Sequence, residues 1–210
     1  MPMKRLHKGV EALERLRAGN QRFVAGEGSG RTDIVRRAEL ASQQEPFAVI
    51  LGCSDSRVPA EYVFDQGLGD LFVIRVAGNI VAPSQIGSVE FAVEAFATPL
   101  VLVLGHSNCG AIKATLETLA SGVVASTNMS SIVDRISPSV RTVLDVHAGT
   151  DPAVQAKHAV RANIRASVDH LRHGSRVLED RVASGELLVV GAEYSLETGE
   201  VDFFEGLPAI

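Results

Sequence analysis

Four short apolar runs constrain this chain more than any other feature. They are FAVILG at 47–52, LFVIRV at 71–76, PLVLVLG at 99–105 and LLVVGAEY at 187–194. A strand with one wet face alternates apolar and polar residues, so FAVILG, apolar throughout, reads as a strand buried on both faces. Helical patterns separate the four runs, and short apolar strands alternating with helices indicate a mostly parallel central sheet.

An apolar stripe at Val10, Leu13, Leu16, Phe23 and Val24 predicts a helix over 8–25, closed by Gly26. The Gly- and Ser-rich segment 26–33 predicts a loop. VPAEYVFD predicts a short helix with Pro59 in its first turn. Helices are also expected over 83–97, with Ile86, Val89, Val93 and Phe96 on one side, and from Ala111 to Leu119. A polar loop is expected around ASTNMSS (125–131), followed by helix. Asp151-Pro152 opens a long helical stretch broken near His173-Gly174 and ending at Gly185, and 197–204 predicts a turn into a short fifth strand. DQGLGD (65–70) has neither phosphate-binding spacing and reads as a loop. The expected fold is α/β. A mostly parallel central sheet of about four strands, plus a short antiparallel fifth, is flanked by helices. An N-terminal helical arm occupies 1–30, and 1–210 form a single domain.

The net charge of −5 and the lack of a basic tract argue against nucleic acid or an anionic membrane as partner. No run reaches the roughly 18 apolar residues of a membrane span. The N-terminal MPMKRLHKGVEALERL has no apolar core of a signal peptide, so a cytoplasmic protein is expected. In that reducing setting its two cysteines, Cys53 and Cys109, point to metal or catalytic chemistry and not to a disulfide.

Cys53 falls just past the first predicted strand; His106 follows the third, with Cys109 three residues on. Parallel strands deliver their C-terminal ends to one sheet edge, where open α/β proteins keep their sites. Two thiolates and an imidazole form a tetrahedral zinc set, and three protein ligands with one open position is the catalytic pattern. A buried cysteine is ordinarily a small hydrophobe, and a histidine at a strand end ordinarily a satisfied polar group. Both cysteines at matching strand ends, with H-x-x-C spacing, make Cys53, His106 and Cys109 a candidate Zn2+ site. Asp55 could be the fourth ligand or could orient a zinc-bound water. Arg57 is either a surface ion pair worth little or a clamp that keeps the Asp55 carboxylate off the metal.

Gly52, Gly105 and Gly110 flank the ligands and read as turn glycines, with close backbone approach to the metal as a corollary. The VAGN backbone (76–79) is expected to line the pocket. His7, His147, His158, His170 and His173 read as solvated. Zinc lowers the pKa of bound water to about 7. Two thiolates keep that value relatively high, favouring alkaline activity. No Ser–His–Asp set supports ester or peptide hydrolysis; a small electrophile attacked directly by zinc hydroxide needs least from the protein.

CSDSR at 53–57 and HSNC at 106–109 resemble the zinc motifs of a β-class carbonic anhydrase. The similarity extends through CSDSRVPAE, DLFVIRVAGNIV, GSVEFAV and VLVLGHSNCGAIKA and includes the N-terminal helix. The resemblance implies reversible hydration of CO2 to bicarbonate and a proton by zinc-bound hydroxide. Cys53, His106 and Cys109 would hold Zn2+. Asp55 and Arg57 would form a catalytic dyad gating the fourth position, with Asp55 as the fourth ligand in a closed state. It also implies a site at a dimer interface, a homodimer or dimer of dimers, and an N-terminal helix packed across the partner. Gln44 matches a substrate-binding glutamine and Phe72 a pocket aromatic; Gly110, beside Cys109, is placed with them. Arg75 and Tyr194 match two residues of a bicarbonate pocket found in some members, whose tryptophan is here Ile50. Phe91 stands where plant-type members have a pocket tyrosine. Two alternatives keep the fold and metal. One is hydrolysis of carbon disulfide or carbonyl sulfide. The other is a catalytically silent zinc module with Asp55 as permanent ligand, against which Arg57 argues.

Overall fold

The computed structural model describes residues 3–28, 34–123 and 126–208. Its strands are β1 Ala48–Gly52, β2 Leu71–Arg75, β3 Leu100–His106, β4 Leu188–Tyr194 and β5 Val201–Glu205. They form one sheet in the order β2-β1-β3-β4-β5; the first four run parallel and β5 is antiparallel to β4. The helices are α1 Met3–Val24, α2 Ile34–Glu39, α3 Ala60–Val63, α4 Pro83–Phe96, α5 Gly110–Ser121, α6 Thr127–Val146, α7 Pro152–His173 and α8 Arg176–Ala183.

Every residue of β1 and β3 is buried, and alternate residues serve two different cores. Val49, Leu51, Val101 and Val103 pack with Val89, Ile112, Ile136, Ile164 and Leu178 from α4 to α8. Ala48, Ile50, Leu100, Leu102 and Leu104 pack with Leu13, Leu16 and Val63 from α1 and α3. Side chains of a strand alternate in direction, so two apolar layers demand an unbroken apolar run. Each fully buried Leu or Ile contributes roughly 1.5–3 kcal/mol relative to exposure.

Helix α1 is part of this chain's own core. Leu13 and Leu16 are buried on the sheet, and a Cβ on Gly9 would meet Leu188. Asn20 donates to the carbonyls of Val63 and Gly199 and accepts from the Val201 N–H. The N-terminal helical arm is therefore held on its own chain from Gly9 to Asn20.

The polar stretch expected as a loop at 125–131 is helical from Thr127 onward. Ser126 supplies the reason, its hydroxyl capping the Met129 N–H. Asp151 and Ser175 cap α7 and α8 in the same way, which fixes the expected break near His173-Gly174. Helix α2 lies where no helix was expected, and part of the loop expected at 26–33 falls outside the described residues. Among the described residues, no helix is long and apolar enough to cross a membrane.

From β1 the chain crosses to β2 on one side, and β3 then joins β1 on the other. Strand order reverses here, which opens a crevice at the C-terminal ends of β1 and β3.

Candidate metal centre

Gly52 stands in register with Leu104. Cys53 follows β1 and His106 ends β3, so the crevice receives both, while Cys109 enters it from the N-cap of α5. The two sulfurs are 4.0 Å apart. Together with a His106 ring nitrogen they lie within 4.8 Å of one another, all from buried residues. Tetrahedral zinc with Zn–S near 2.3 Å separates two sulfurs by about 3.8 Å, so the pair is close to ligating distance.

His106 supplies the decisive test of fit. Its Nδ1 lies 2.9 Å from the Ser107 carbonyl, an acceptor only, so Nδ1 carries the proton. Nε2 is then a lone-pair acceptor, and it is buried without a hydrogen-bond partner. A carbonyl orienting one ring nitrogen while the other is left bare is the arrangement of a metal-binding imidazole. The donor set suits Zn2+.

The hydrogen bond with Cys109 outweighs burial and, helped by His106 and the Gly78 N–H, holds Cys53 at a pKa of about 4. The same contact, with burial, pushes the Cys109 thiol far up. Burial works against charge on His106, but the nearby Cys53 sulfur and its negative charge leave its pKa raised. Gly78 donates its N–H to Cys53 Sγ at 3.3 Å, so the VAGN backbone does reach the site.

Asp55 stands beside this set without belonging to it. Arg57 holds it at both oxygens, Nε to Oδ1 at 2.9 Å and Nη2 to Oδ2 at 2.8 Å, and the Arg57 backbone N–H adds a third bond at 3.0 Å. Oδ2 remains 3.9 Å from His106 Nε2. The guanidinium holds the Asp55 carboxyl well below the usual carboxylate range, and Arg57 is raised in return.

Sequence comparison shows the family. The carbonic anhydrase family model matches residues 48–201. The chain belongs to the carbonic anhydrase family. It is 41% identical over 194 residues to the carbonic anhydrase of Mycolicibacterium smegmatis, covering 92% of each chain. It is 39% identical over 191 residues to carbonic anhydrase 2 of Mycobacterium tuberculosis, covering 90% of each. Among solved structures, the β-carbonic anhydrase CcaA superposes with a TM-score of 0.72 at 29% identity, covering 94% of this chain and 93% of that one.

Other expected site residues of this β-carbonic anhydrase are distributed unevenly. Gly110 opens α5 beside Cys109, exposed and with open space where a Cβ would stand. Phe72 lies opposite Val49, so about 13 Å of strand separates it from Cys53. There it meets Phe91 and Phe96, with ring centroids 6.1 and 6.2 Å away. Gln44 is exposed ahead of β1, at the opposite sheet edge from the metal ligands. One chain does not bring Gln44 and Phe72 to its own metal centre.

Arg75 and Tyr194 share the C-terminal edge, with β1 and β3 between their strands and roughly 14 Å between their backbones. Arg75 braces the ligand loop, donating to Cys53 O at 3.1 Å and Asp55 O at 2.6 Å. That role had no sequence signal beyond a charge ending an apolar strand. Burial raises Tyr194. The turn reading of the flanking glycines is corrected, since none of Gly52, Gly105 and Gly110 has a positive φ. Gly105 is needed for packing: a Cβ there would lie 2.5 Å from Ile164 Cδ1. Of the remaining histidines, His147 is half-buried and stacks on His158 at 4.0 Å, and the others are exposed.

Proposed function

We propose that this β-carbonic anhydrase hydrates CO2 reversibly to bicarbonate and a proton, using zinc held by Cys53, His106 and Cys109. One observation carries the reading: three ligand atoms converge around an unpartnered His106 Nε2 while Arg57 holds the neighbouring Asp55 aside. Zinc bound there supplies a Lewis acid that brings the pKa of a coordinated water toward about 7.

The chain's own residues supply the rest. Asp55 Oδ2, close to His106 Nε2, accepts a hydrogen bond from the attacking water and turns its lone pair toward the carbon of CO2. A carboxylate held so acidic is a poor base at neutral pH, so Asp55 orients the nucleophile and does not carry its proton. Arg57 fixes that orientation and keeps the fourth position clear. Released from Arg57, Asp55 is near enough to turn inward and close the site. A permanently four-ligand module has no use for this forked clamp, which favours the enzyme.

The working unit in this reading is a homodimer. Strand β2 is an edge strand, half-exposed along its length. A two-fold axis pairing two β2 strands antiparallel sets the start of one beside the end of the other. That carries one copy's Phe72 and Gln44 toward its partner's metal ligands. Phe91, 56% exposed next to Phe72, gives the contact an apolar anchor. A cytoplasmic setting accords with both cysteines being free thiols.

Stopped-flow measurement of CO2 hydration by zinc-replete protein tests the proposal. A rate rising between about pH 7 and 9 is expected; no rate above buffer at any pH would overturn it.

A further inference from the structure

Helix α7 carries two buried polar side chains one turn apart, Asn163 at 3% exposure and Ser167 at 5%. Groups so buried need partners, and both find theirs in one place. Asn163 Nδ2 donates to Gly78 O at 2.8 Å, and Ser167 Oγ donates to Asn79 O at 3.1 Å. These are consecutive carbonyls of the short turn Ala77–Asn79.

The turn closes on a single backbone bond of its own, Asn79 N–H to Val76 O at 3.0 Å, and its strained residues are held from outside. Gly78 and Asn79 are both left-handed, with φ of 69° and 43°, a conformation that costs a non-glycine residue free energy. It is also pressed from the other side: a Cβ on Gly78 would stand 2.8 Å from Ile136 Cδ1 and 3.0 Å from Ala111 Cβ. Held in this shape, the turn points the Gly78 N–H at Cys53 Sγ, 3.3 Å away. A backbone N–H keeps its proton when the sulfur takes a metal, so this hydrogen bond survives ligation.

We propose that Asn163 and Ser167 are positioning residues of the metal centre. From α7 they fix the Gly78–Asn79 turn so that its N–H aims Cys53 Sγ and tempers the electron density that sulfur gives the metal. The inference rests on zinc occupying Cys53, His106 and Cys109. A hydrogen bond to a metal-bound thiolate withdraws charge from sulfur and leaves the metal more electrophilic, as outer-shell donors do elsewhere. The two side chains touch neither metal nor substrate; they act through Gly78.

The test uses Co2+-loaded protein, whose sulfur-to-cobalt charge-transfer band reports the electron density on the thiolates. Ser167→Ala and Asn163→Leu each remove one donor. Both are expected to move the band to longer wavelength and to weaken zinc, by chelator competition, about 10–100-fold. Ser167→Thr, which keeps the hydroxyl, retains the wild-type band. Val168→Ala removes packing from the neighbouring helical position, against Gly191, and is expected to lower stability without moving the band. If Asn163→Leu does not fold, Ser167→Ala carries the test alone. An unmoved band with unchanged zinc affinity would overturn the positioning role. A wild-type protein with no thiolate-to-cobalt band would instead overturn the metal reading on which it rests.

Discussion

Arg57 grips Asp55 across both carboxylate oxygens, at 2.9 and 2.8 Å, from two residues further along the same loop. The fork acts on orientation, since the ligand cluster forms without Asp55. Arg57→Ala is therefore expected to keep its zinc yet lose about 10²–10³ in kcat/KM for CO2 hydration, the range for loss of a preorganised electrostatic group. Arg57→Lys should recover little, because an ammonium cannot present two parallel N–H groups. Metal analysis alongside stopped-flow rates checks both statements. Loss of zinc together with activity would show that Arg57 supports the ligands themselves.

Zinc uptake should release protons. In the metal-free chain Cys53 is already a thiolate at neutral pH, with its pKa held near 4 chiefly by the Cys109 hydrogen bond. Cys109 keeps its proton, because the Cys53 contact and burial raise its pKa. Zinc needs both as thiolates and His106 neutral, so each ion displaces at least one proton, that of Cys109, together with any that His106, whose pKa is raised, carries. Apparent affinity should then fall at least about tenfold for each unit that pH drops through the neutral range. Proton release in weakly buffered solution, with chelator competition at two pH values, measures this. A pH-independent affinity would mean that Cys109 is already ionised.

What the sequence makes legible follows from what short-range pattern encodes. The strands of the sheet announce themselves because Ala48–Leu51 and Leu100–Leu104 feed two apolar layers and so cannot alternate with polar residues. Cys53, His106 and Cys109 are legible because the first follows β1, the second ends β3 with the third three residues on, and parallel topology sends both strand ends to one edge. Pattern says less about destination. The stripe on α1 shows that the helix buries a face, and only tertiary contacts at Leu13, Leu16 and Asn20 show that it does so on its own chain. The resemblance implies a pocket role for Gln44 and Phe72 but carries no distance, and in one chain they lie away from the ligands. Asn163 and Ser167 look like any polar residues on a helix until the turn they hold is seen.

Gly105 is a packing glycine, and its cost of substitution should be recoverable. A Cβ there would lie 2.5 and 2.6 Å from Cδ1 and Cγ1 of Ile164, which is fully buried. Gly105→Ala is expected to cost about 1–3 kcal/mol by urea unfolding, and Ile164→Ala alone about 2–5 kcal/mol. The double variant should be more stable than the sum implies, by roughly 0.5–3 kcal/mol, because the methyl added by one fills space vacated by the other. Strict additivity would mean that the backbone shifts to accept the new methyl and that the close approach of α7 to β3 imposes no constraint.

A site shared between two copies, as proposed, makes a prediction no single-chain enzyme can meet. Cys109→Ser disables the metal centre of its own copy but leaves that copy's Gln44 intact. Gln44→Ala does the reverse. If each centre draws Gln44 from the other copy, homodimers of either variant are impaired at both centres. A mixed dimer holds one centre with three intact ligands from the Gln44→Ala copy and an intact Gln44 from the Cys109→Ser copy. The second centre carries both defects. Co-expressed, differently tagged copies purified as mixed dimers should therefore recover about half the wild-type kcat per dimer, the fraction of centres restored under two-fold symmetry. Mixing the separate homodimers under conditions where they do not exchange should recover nothing. Were Gln44 to serve its own chain's centre, the mixed dimer would show only the average of the two impaired parents.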